Sequence, residues 1–305
     1  MQQVLIHVIP IFFALYMYVS LFHKTRLHWV IRGVLLFLIL ISCQYPAFCR
    51  SFFVGYDDRV PHLGIVLYCW LFSTQLLLVL AAFAKDFVGL IYRLVRKTKL
   101  PHPTTTAVSL LSIAMLVAAF GSYSALSQPP IYRLDVPIKN LPDSLDGFTI
   151  AQLSDIHASP LLDRSRLVKV VERTNALKPD MVAVTGDIVD GKTEARLQDV
   201  LPLKELHAPY GVFAIEGNHE HYVDYDAWMA TYPTLNMTVL HNSHQILDVN
   251  GAKLAIVGIT DPMAARYHRE YPDIKKAMSG IPEGTVSILL SHQVKYSRDY
   301  AKYPI

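Results

Sequence analysis

Four short segments of this 305-residue chain carry side chains able to hold a metal ion. They are Ser154-Asp155-Ile156-His157, Gly186-Asp187-Ile188-Val189-Asp190, Glu216-Gly217-Asn218-His219-Glu220 and Ser291-His292. Carboxylate, imidazole and amide oxygen make a hard-to-borderline donor set, suited to Mn, Fe or Zn and unlike an all-oxygen calcium cage. The glycines ahead of Asp187 and Asn218 let the backbone turn sharply and approach an ion closely. Taken singly, each segment has a plainer reading. Asp-x-His is common, Asn218-His219 suits a capping turn, and a lone His292 is more often a hydrogen-bonded histidine than a ligand. Their shared placement argues for one site. Each follows an apolar run of strand type, and ligands of α/β sheets collect beyond the carboxyl ends of strands.

The elements that must position these groups alternate along residues 131–305. Phe148–Leu153, Met181–Thr185, Val212–Ile215 and Thr285–Leu290 read as strands. Leu167, Val170, Val171 and Thr174 have helical spacing that ends before Lys178-Pro179. Glu194–Leu206 and Asp226–Tyr232 read as further helices. Asn250-Gly251, between Ile246–Val249 and Lys253–Val257, is a hairpin turn signal. Strand–helix alternation with a hairpin insert implies a layered α/β or α+β sandwich.

These motifs resemble those of the calcineurin-like metallophosphoesterase family, and in particular its membrane-anchored bacterial-type branch. Asp155-x-His157, Gly186-Asp187-x-x-Asp190, Gly217-Asn218-His219-Glu220 and Ser291-His292 stand in family order. The resemblance implies a four-layer sandwich and a centre of two divalent or trivalent ions (Mn, Fe or Zn). It implies that Asp155 and His157 hold one ion, Asn218 and His292 the other, and Asp187 bridges them. His219 would stand beside the ions as general acid to the leaving oxygen. A carboxylate has two oxygens for a bridge, and an imidazole titrating near pH ~6.5 can protonate an alkoxide. Asp190 and Glu220 read either as orienting groups or as surface loop acids. The substrate implied is a phosphate ester: a phosphomonoester, a phosphodiester, a pyrophosphate, or the head group of a membrane lipid.

One departure stands against the family pattern. The family closes with Gly-His-x-His, and no histidine follows His292. The expectation is therefore a chain truncated at its C-terminus, short of its last strands and of one imidazole per ion. Its competitor is a catalytically impaired or regulatory membrane protein on the same fold. His221, His241, His244 and His268 are candidate substitutes, each more at home in a loop or at the surface.

Residues 1–130 have a different character. Residues 1–23 and Val60–Ala84 contain no charge, Leu27–Cys49 contains only Arg32, and Leu100–Tyr132 centres on the apolar run Ala107–Leu126. Each reaches the ~20 residues that cross a bilayer core as a helix, so this half reads as a four-helix transmembrane region. Basic residues gather in the first loop (Lys24, Arg26) and in the third (Lys85, Arg93, Arg96, Lys97, Lys99). The second loop has Arg50 and Arg59 offset by Asp57 and Asp58. The positive-inside rule then places loops one and three in the cytoplasm and residues 131–305 on the extracytoplasmic face of the cell membrane. Phe87, Leu90, Ile91, Leu94 and Val95 recur at helical spacing, as either an interfacial amphipathic helix or an extension of the third span. So short a linker at Gln128-Pro129-Pro130 would hold the polar domain at the membrane surface.

Composition agrees with this division. Apolar residues make up 52% and charged residues 17%, which excludes a disordered chain. The net charge is +7 over residues 1–130 and −4 over 131–305, so the basic balance belongs to the hydrophobic half and gives no ground for a nucleic-acid partner. Cys43, Cys49 and Cys69 show neither zinc spacing nor an even disulfide framework, and oligomeric state is not legible.

Overall fold

The computed structural model describes residues 2–45, 47–48 and 61–305. The second-loop charges Arg50, Asp57, Asp58 and Arg59, and Cys49, lie outside the described residues. The chain divides into two compact units, Met1–Ser127 and Gln128–Ile305.

The first unit is helical: α1 Gln2–Leu21, α2 Trp29–Ser42, α3 His62–Arg96 and α4 Pro103–Leu126. By length and composition, α3 and α4 are able to cross a membrane, whereas the apolar segments Leu5–Leu21 and Trp29–Ser42 are shorter. Of the four expected spans, the second contains a 14-residue helix, Trp29–Ser42. The stretch after Ala84 extends the third span. α3 continues without a break through Leu90 and Val95, and its 35 residues measure ~50 Å at 1.5 Å each, beyond a ~30 Å core. The unit's interior mixes large apolar residues (Met17, Leu21, Phe22, Ile39 and Leu78) with small and polar ones (Ala14, Ala82, Ala107, Ala114, Ser42, Thr74 and Gln75). Ser42 donates its hydroxyl hydrogen to Gln75 across α2 and α3. Phe37, Leu80, Leu116 and Phe120 face outward.

The second unit is the layered sandwich that the alternation implied. One sheet holds β1 Ile150–Leu153, β2 Met181–Thr185, β3 Val212–Ile215 and β4 Thr238–Val239, in that order and all parallel. The other holds β5 Ser243–Val249, β6 Ala252–Gly258 and β7 Val286–Leu290. β5 and β6 are antiparallel, turning at Asn250-Gly251 with positive φ at both residues, and β7 pairs parallel to β6. Helices α5 Arg164–Ala176, α6 Thr193–Val200, α7 Asn218–Tyr222, α8 Tyr225–Thr231, α9 Ile274–Met278 and α10 Ser297–Tyr300 complete the α-helices of the unit. The expected helix over 194–206 breaks after Val200 into a 3-10 turn, Leu201–Glu205, where Pro202 removes a backbone donor.

Period-two alternation sends the two faces of each strand into different cores. Val182, Val184, Val212 and Ala214 pack under Leu167 and Val171 of α5 and Trp228 of α8. Met181, Ala183, Phe213 and Ile215 face Leu247, Leu254, Ile256 and Leu290 of the second sheet. Ala255 and Val257 meet Ala277 of α9. The result is helix, sheet, sheet, helix. Burial on both faces explains why the strands read as continuous apolar runs.

Candidate metal centre

The segment after β1 and the segment after β2 run side by side past their strand ends. The amides of Asp155, His157 and Ala158 donate to the carbonyls of Gly186, Asp187 and Ile188 at 3.2, 3.0 and 2.9 Å. Asp155, His157 and Asp187 sit in the left-handed region, with φ of 53, 46 and 52°. Non-glycine residues are held there only where surrounding contacts enforce it, and such residues cluster at functional sites. The segment after β3 packs against this pair. A Cβ on Gly186 would stand 2.6 Å from the Gly217 amide nitrogen, and one on Gly217 would stand 2.5 Å from the Asp187 amide nitrogen. Two backbones in contact leave room for glycine alone, which is the physical content of the Gly-Asp and Gly-Asn steps.

Glu220 fastens the two loops together. It is fully buried, and its carboxylate accepts from the amides of Gly217 (2.7 Å), Asp187 (3.1 Å) and Ile188 (2.7 Å) and from the Tyr232 hydroxyl (3.0 Å). Burial pushes its pKa up, against the pull of those backbone donors. Of its two sequence readings, orienter and surface acid, the structure bears out the first.

The structure brings all six candidate residues together around one oxygen. Asp187 Oδ1 accepts the His219 backbone N–H at 2.8 Å. Asp187 Oδ2 faces the Nε2 atoms of His292, His157 and His219 at 3.4, 3.6 and 3.9 Å. Asp155 Oδ1 lies 3.8 Å from His157 Nε2, and Asn218 Oδ1 lies 3.2 Å from His292 Nε2. Donor atoms of His157, Asp187 and His219 fall within 4.8 Å of one another, as do those of Asp155, Asp187 and His292. These groups cut across the pairings that the family resemblance implies, although both arrangements share Asp187. Of the two Asp187 oxygens, Oδ1 accepts the His219 amide and Oδ2 faces the three imidazoles.

The chemistry of this donor set fits cations. His292 Nδ1 lies 2.8 Å from the Thr185 carbonyl, which only accepts, so Nδ1 carries hydrogen and the Nε2 lone pair faces Asp187 and Asn218. Asp190 does the same for two rings, since its Oδ1 accepts from Nδ1 of His157 at 3.1 Å and of His219 at 2.5 Å. In the neutral tautomers that these hydrogen bonds select, the Nε2 lone pairs converge on Asp187, an arrangement that positive charge, whether a metal ion or a proton, must stabilise. A carboxylate behind a ligating imidazole is the usual way of fixing the metal-binding tautomer.

Protons compete for the same place, and the titration behaviour shows it. Burial opposes ionisation of Asp190, yet hydrogen bonds from His157 and His219 hold it down at about 2. Burial likewise opposes the protonated form of His292, yet Asp187 and the Thr185 carbonyl lift it to about 9. The hydrogen bond to Asp190 raises His157 against burial, and His219 is raised because Asp190 and Asp187 outweigh its desolvation.

A second network, which sequence reasoning missed, braces the site from below. Glu216 is buried. Its Oε1 accepts from His221 Nε2 (3.0 Å) and the Asp261 amide (3.2 Å), and its Oε2 from the Tyr225 hydroxyl (2.5 Å) and His241 Nδ1 (3.1 Å). Burial opposes it, but those donors hold Glu216 at about 2. Its one sequence signal was an acid at the end of an apolar strand. His221 and His241 are thus committed to Glu216. His244 lies 2.7 Å from the Ala277 carbonyl, and His268 caps the exposed turn Pro262–Tyr267. Among the described residues, none of these four histidines joins the donor groups. His221 is buried rather than at the surface where its loop position pointed.

A family model described as calcineurin-like phosphoesterase matches residues 148–304. A transmembrane protein with metallophosphoesterase domain from Danio rerio is 28% identical over 272 residues, 85% of this chain and 61% of that one. Its counterpart in Bos taurus is 30% identical over 190 residues, 59% and 43% of the two chains. A Bacillus subtilis metallophosphoesterase is 34% identical over 172 residues, 54% and 57% of the two. The chain spans about half the length of these curated relatives.

Proposed function

The chain belongs to the calcineurin-like phosphoesterase family, and from that premise we propose that it is a membrane-anchored hydrolase of phosphate esters using two metal ions. The observation that carries this reading is the clustering of the His157 and His292 Nε2 atoms and the Asp155 and Asn218 oxygens about Asp187, with His219 Nε2 3.9 Å from Asp187 Oδ2. Bound there, two ions (Mn, Fe or Zn) would supply Lewis acidity at the phosphate oxygens and a nucleophile competent at neutral pH. Asp155, His157, Asp187, Asn218 and His292 hold them. His219 donates a proton from Nε2 to the leaving oxygen, while Asp190 keeps its Nδ1 hydrogen-bonded and stabilises the imidazolium form. Glu220 keeps the Asp187 and Asn218 loops in register through the reaction.

Anchoring is supported by the length and apolar composition of α3 and α4 and by the large apolar side chains, among them Phe37, Leu80, Leu116 and Phe120, that the first unit turns outward. The names of the Danio rerio and Bos taurus relatives agree with it. We place the catalytic unit on the extracytoplasmic face, from the basic residues of loops one and three. A cysteine at Thr98 should then resist membrane-impermeant thiol reagents in intact cells while one at Lys192 labels; the reverse pattern inverts the topology. A lipid phosphate belongs among the candidate substrates on this reading, and hydrolysis of soluble diesters without any of phospholipid vesicles would remove it.

A second reading concerns His219, whose Nε2 lies inside the donor group of His157 and Asp187 and is placed to ligate. Elemental analysis of purified variants separates the two. As general acid, His219→Ala keeps both metals and loses rate by ~10²–10⁴-fold. As a ligand, it loses metal along with rate.

A further inference from the structure

Two exposed tyrosines stand beside the proton donor. Tyr222 is 45% and Tyr267 38% exposed, and their ring centroids lie 6.5 Å apart. The Tyr222 ring is 4.9 Å from that of His219, and its hydroxyl accepts from Asn218 Nδ2 at 3.1 Å, which keeps the Asn218 oxygen turned toward His292. Tyr267 is buttressed from within. It lies nearly parallel to the buried His221, 6.1 Å away at 19°, and His221 in turn stacks on Tyr225 at 4.5 Å. The turn that carries Tyr267 is tied to both flanks of the site. The Asp261 amide donates to Glu216, next to Gly217, and the Asp261 carboxylate accepts from Gln293, next to His292, at 3.0 and 3.1 Å. Both rings are therefore fixed relative to the donor atoms, while each keeps a face in solvent.

We propose that Tyr222 and Tyr267 form the leaving-group subsite, and that it takes a phosphoester whose departing alcohol carries a flat ring. The inference rests on His219 as proton donor. A leaving oxygen within reach of His219 Nε2 puts the rest of its alcohol alongside the exposed ring packed on His219, which is Tyr222, and the adjoining wall is Tyr267. Aromatic faces reward a planar partner in stacked or edge-on contact beyond the area it buries. They offer little to methanol, and little more to a puckered ring. The same two tyrosines carry no charge to hold a second phosphate, so the subsite selects an organic alcohol over inorganic phosphate as leaving group.

The experiment uses the full chain, purified in detergent and loaded with Mn²⁺. Methyl, benzyl and cyclohexylmethyl phosphates are compared, together with the mixed benzyl methyl phosphodiester, whose products report which alcohol leaves. The alcohols are of similar acidity, so intrinsic reactivity does not set the order. We expect kcat/KM for benzyl to exceed methyl by about two- to tenfold, the range of one aromatic contact, with cyclohexylmethyl below benzyl. Tyr267→Ala brings the benzyl-to-methyl ratio close to one, and Tyr267→Phe restores it. A ratio near one in the native chain, or one unmoved by Tyr267→Ala in a protein with unchanged metal content, overturns the subsite and leaves the hydrolase reading standing. A cyclohexylmethyl ester used as well as benzyl makes the wall merely apolar and overturns the flat ring. Failure of the metal-loaded chain to hydrolyse any of these esters defeats the phosphoester reading itself, and the subsite with it.

Discussion

In the helical unit, Phe120 of α4 is 74% exposed while Ala107 and Ala114 of the same helix are buried. In the sandwich, Phe213 of β3 is 1% exposed between two sheets, with Ile215 and Leu254 for neighbours. Both units bury large apolar side chains, Met17 and Phe22 in the first and Phe213 in the second, and they differ in what they expose: the helical unit turns Phe37, Leu80, Leu116 and Phe120 outward. Where the surroundings are hydrocarbon, large apolar side chains gain nothing by turning inward, and helices associate through close backbone approach and hydrogen bonds such as Ser42 to Gln75. Where the surroundings are water, the same side chains supply the driving force for folding. Ionisable clusters follow the same logic. The sandwich places its buried carboxylates under dense hydrogen bonding and beside imidazoles, so the candidate chemistry lies there, and the role proposed for the helices is anchoring.

The largest expected effect separates those two roles. Asp187→Asn takes away the central anionic oxygen, so the cluster loses the charge that holds both ions. Metal content by elemental analysis and hydrolysis both fall to background, while membrane retention on fractionation is unchanged. A variant that keeps both metals would show that the centre is not organised on Asp187.

One chemical change made in both units sharpens the contrast further. Phe213→Ala empties a packed core and is expected to destabilise the sandwich by about 3–5 kcal/mol, read as a lower urea or thermal midpoint. Phe120→Ala removes an outward-facing ring, and the midpoint of the detergent-solubilised chain should move by less than about 1 kcal/mol. Equal losses would mean that the helical unit packs like a water-soluble core, and the comparison would fail.

Acid tests the buried network. Glu216 titrates at about 2 when folded, against an ordinary 4.5. A carboxylate whose folded pKa is depressed contributes stability that is present above the ordinary value and lost as pH falls through the folded one. The loss therefore falls between about pH 4.5 and 2, and it is on the order of 3 kcal/mol. His241, raised by its bond to Glu216, works at the other end: its contribution is full below 6.5 and disappears as pH climbs through its raised pKa. In Glu216→Gln the drop in urea midpoint between pH 6 and pH 3 should shrink by Glu216's share. An unchanged drop would show that Glu216 is not the acid-sensitive brace.

The smallest effect is expected behind the ligands. Asp190→Asn leaves every donor atom in place but loosens the tautomers of His157 and His219, a change worth about 10–100-fold in metal affinity or rate. No change in either would leave Asp190 a bystander to the centre.

Much of the fold was legible in the residues. β2 and β3 appear where apolar runs of strand length predict them, and Asn250-Gly251 turns the hairpin, because local backbone preference and two-face burial leave their mark in consecutive residues. The membrane unit was less legible. Hydropathy predicts full-length spans, whereas α2 covers 14 residues, since helix ends depend on contacts and turns that a hydropathy window averages away. In the site, the donor residues could be named from motif order, but the grouping of their atoms could not.

The identity of the chemistry was determined by the sequence alone: carboxylates, imidazoles and an amide set just past strand ends, with glycines where two backbones must touch. Only the tertiary structure decided how those groups are used. It gave Asp187 Oδ1 to the His219 amide and Oδ2 to the cluster, it set Glu220 as a buried clamp and Asp190 as the support of two rings, and it assembled the Glu216 network and the Tyr222–Tyr267 wall. Many of these outcomes turn on hydrogen bonds and ring contacts between residues about 30 or more apart in the chain, such as Glu220 to Ile188 and His292 to Thr185. Local sequence encodes which atoms can donate or accept; the angle and distance at which distant segments meet choose the partner each atom receives.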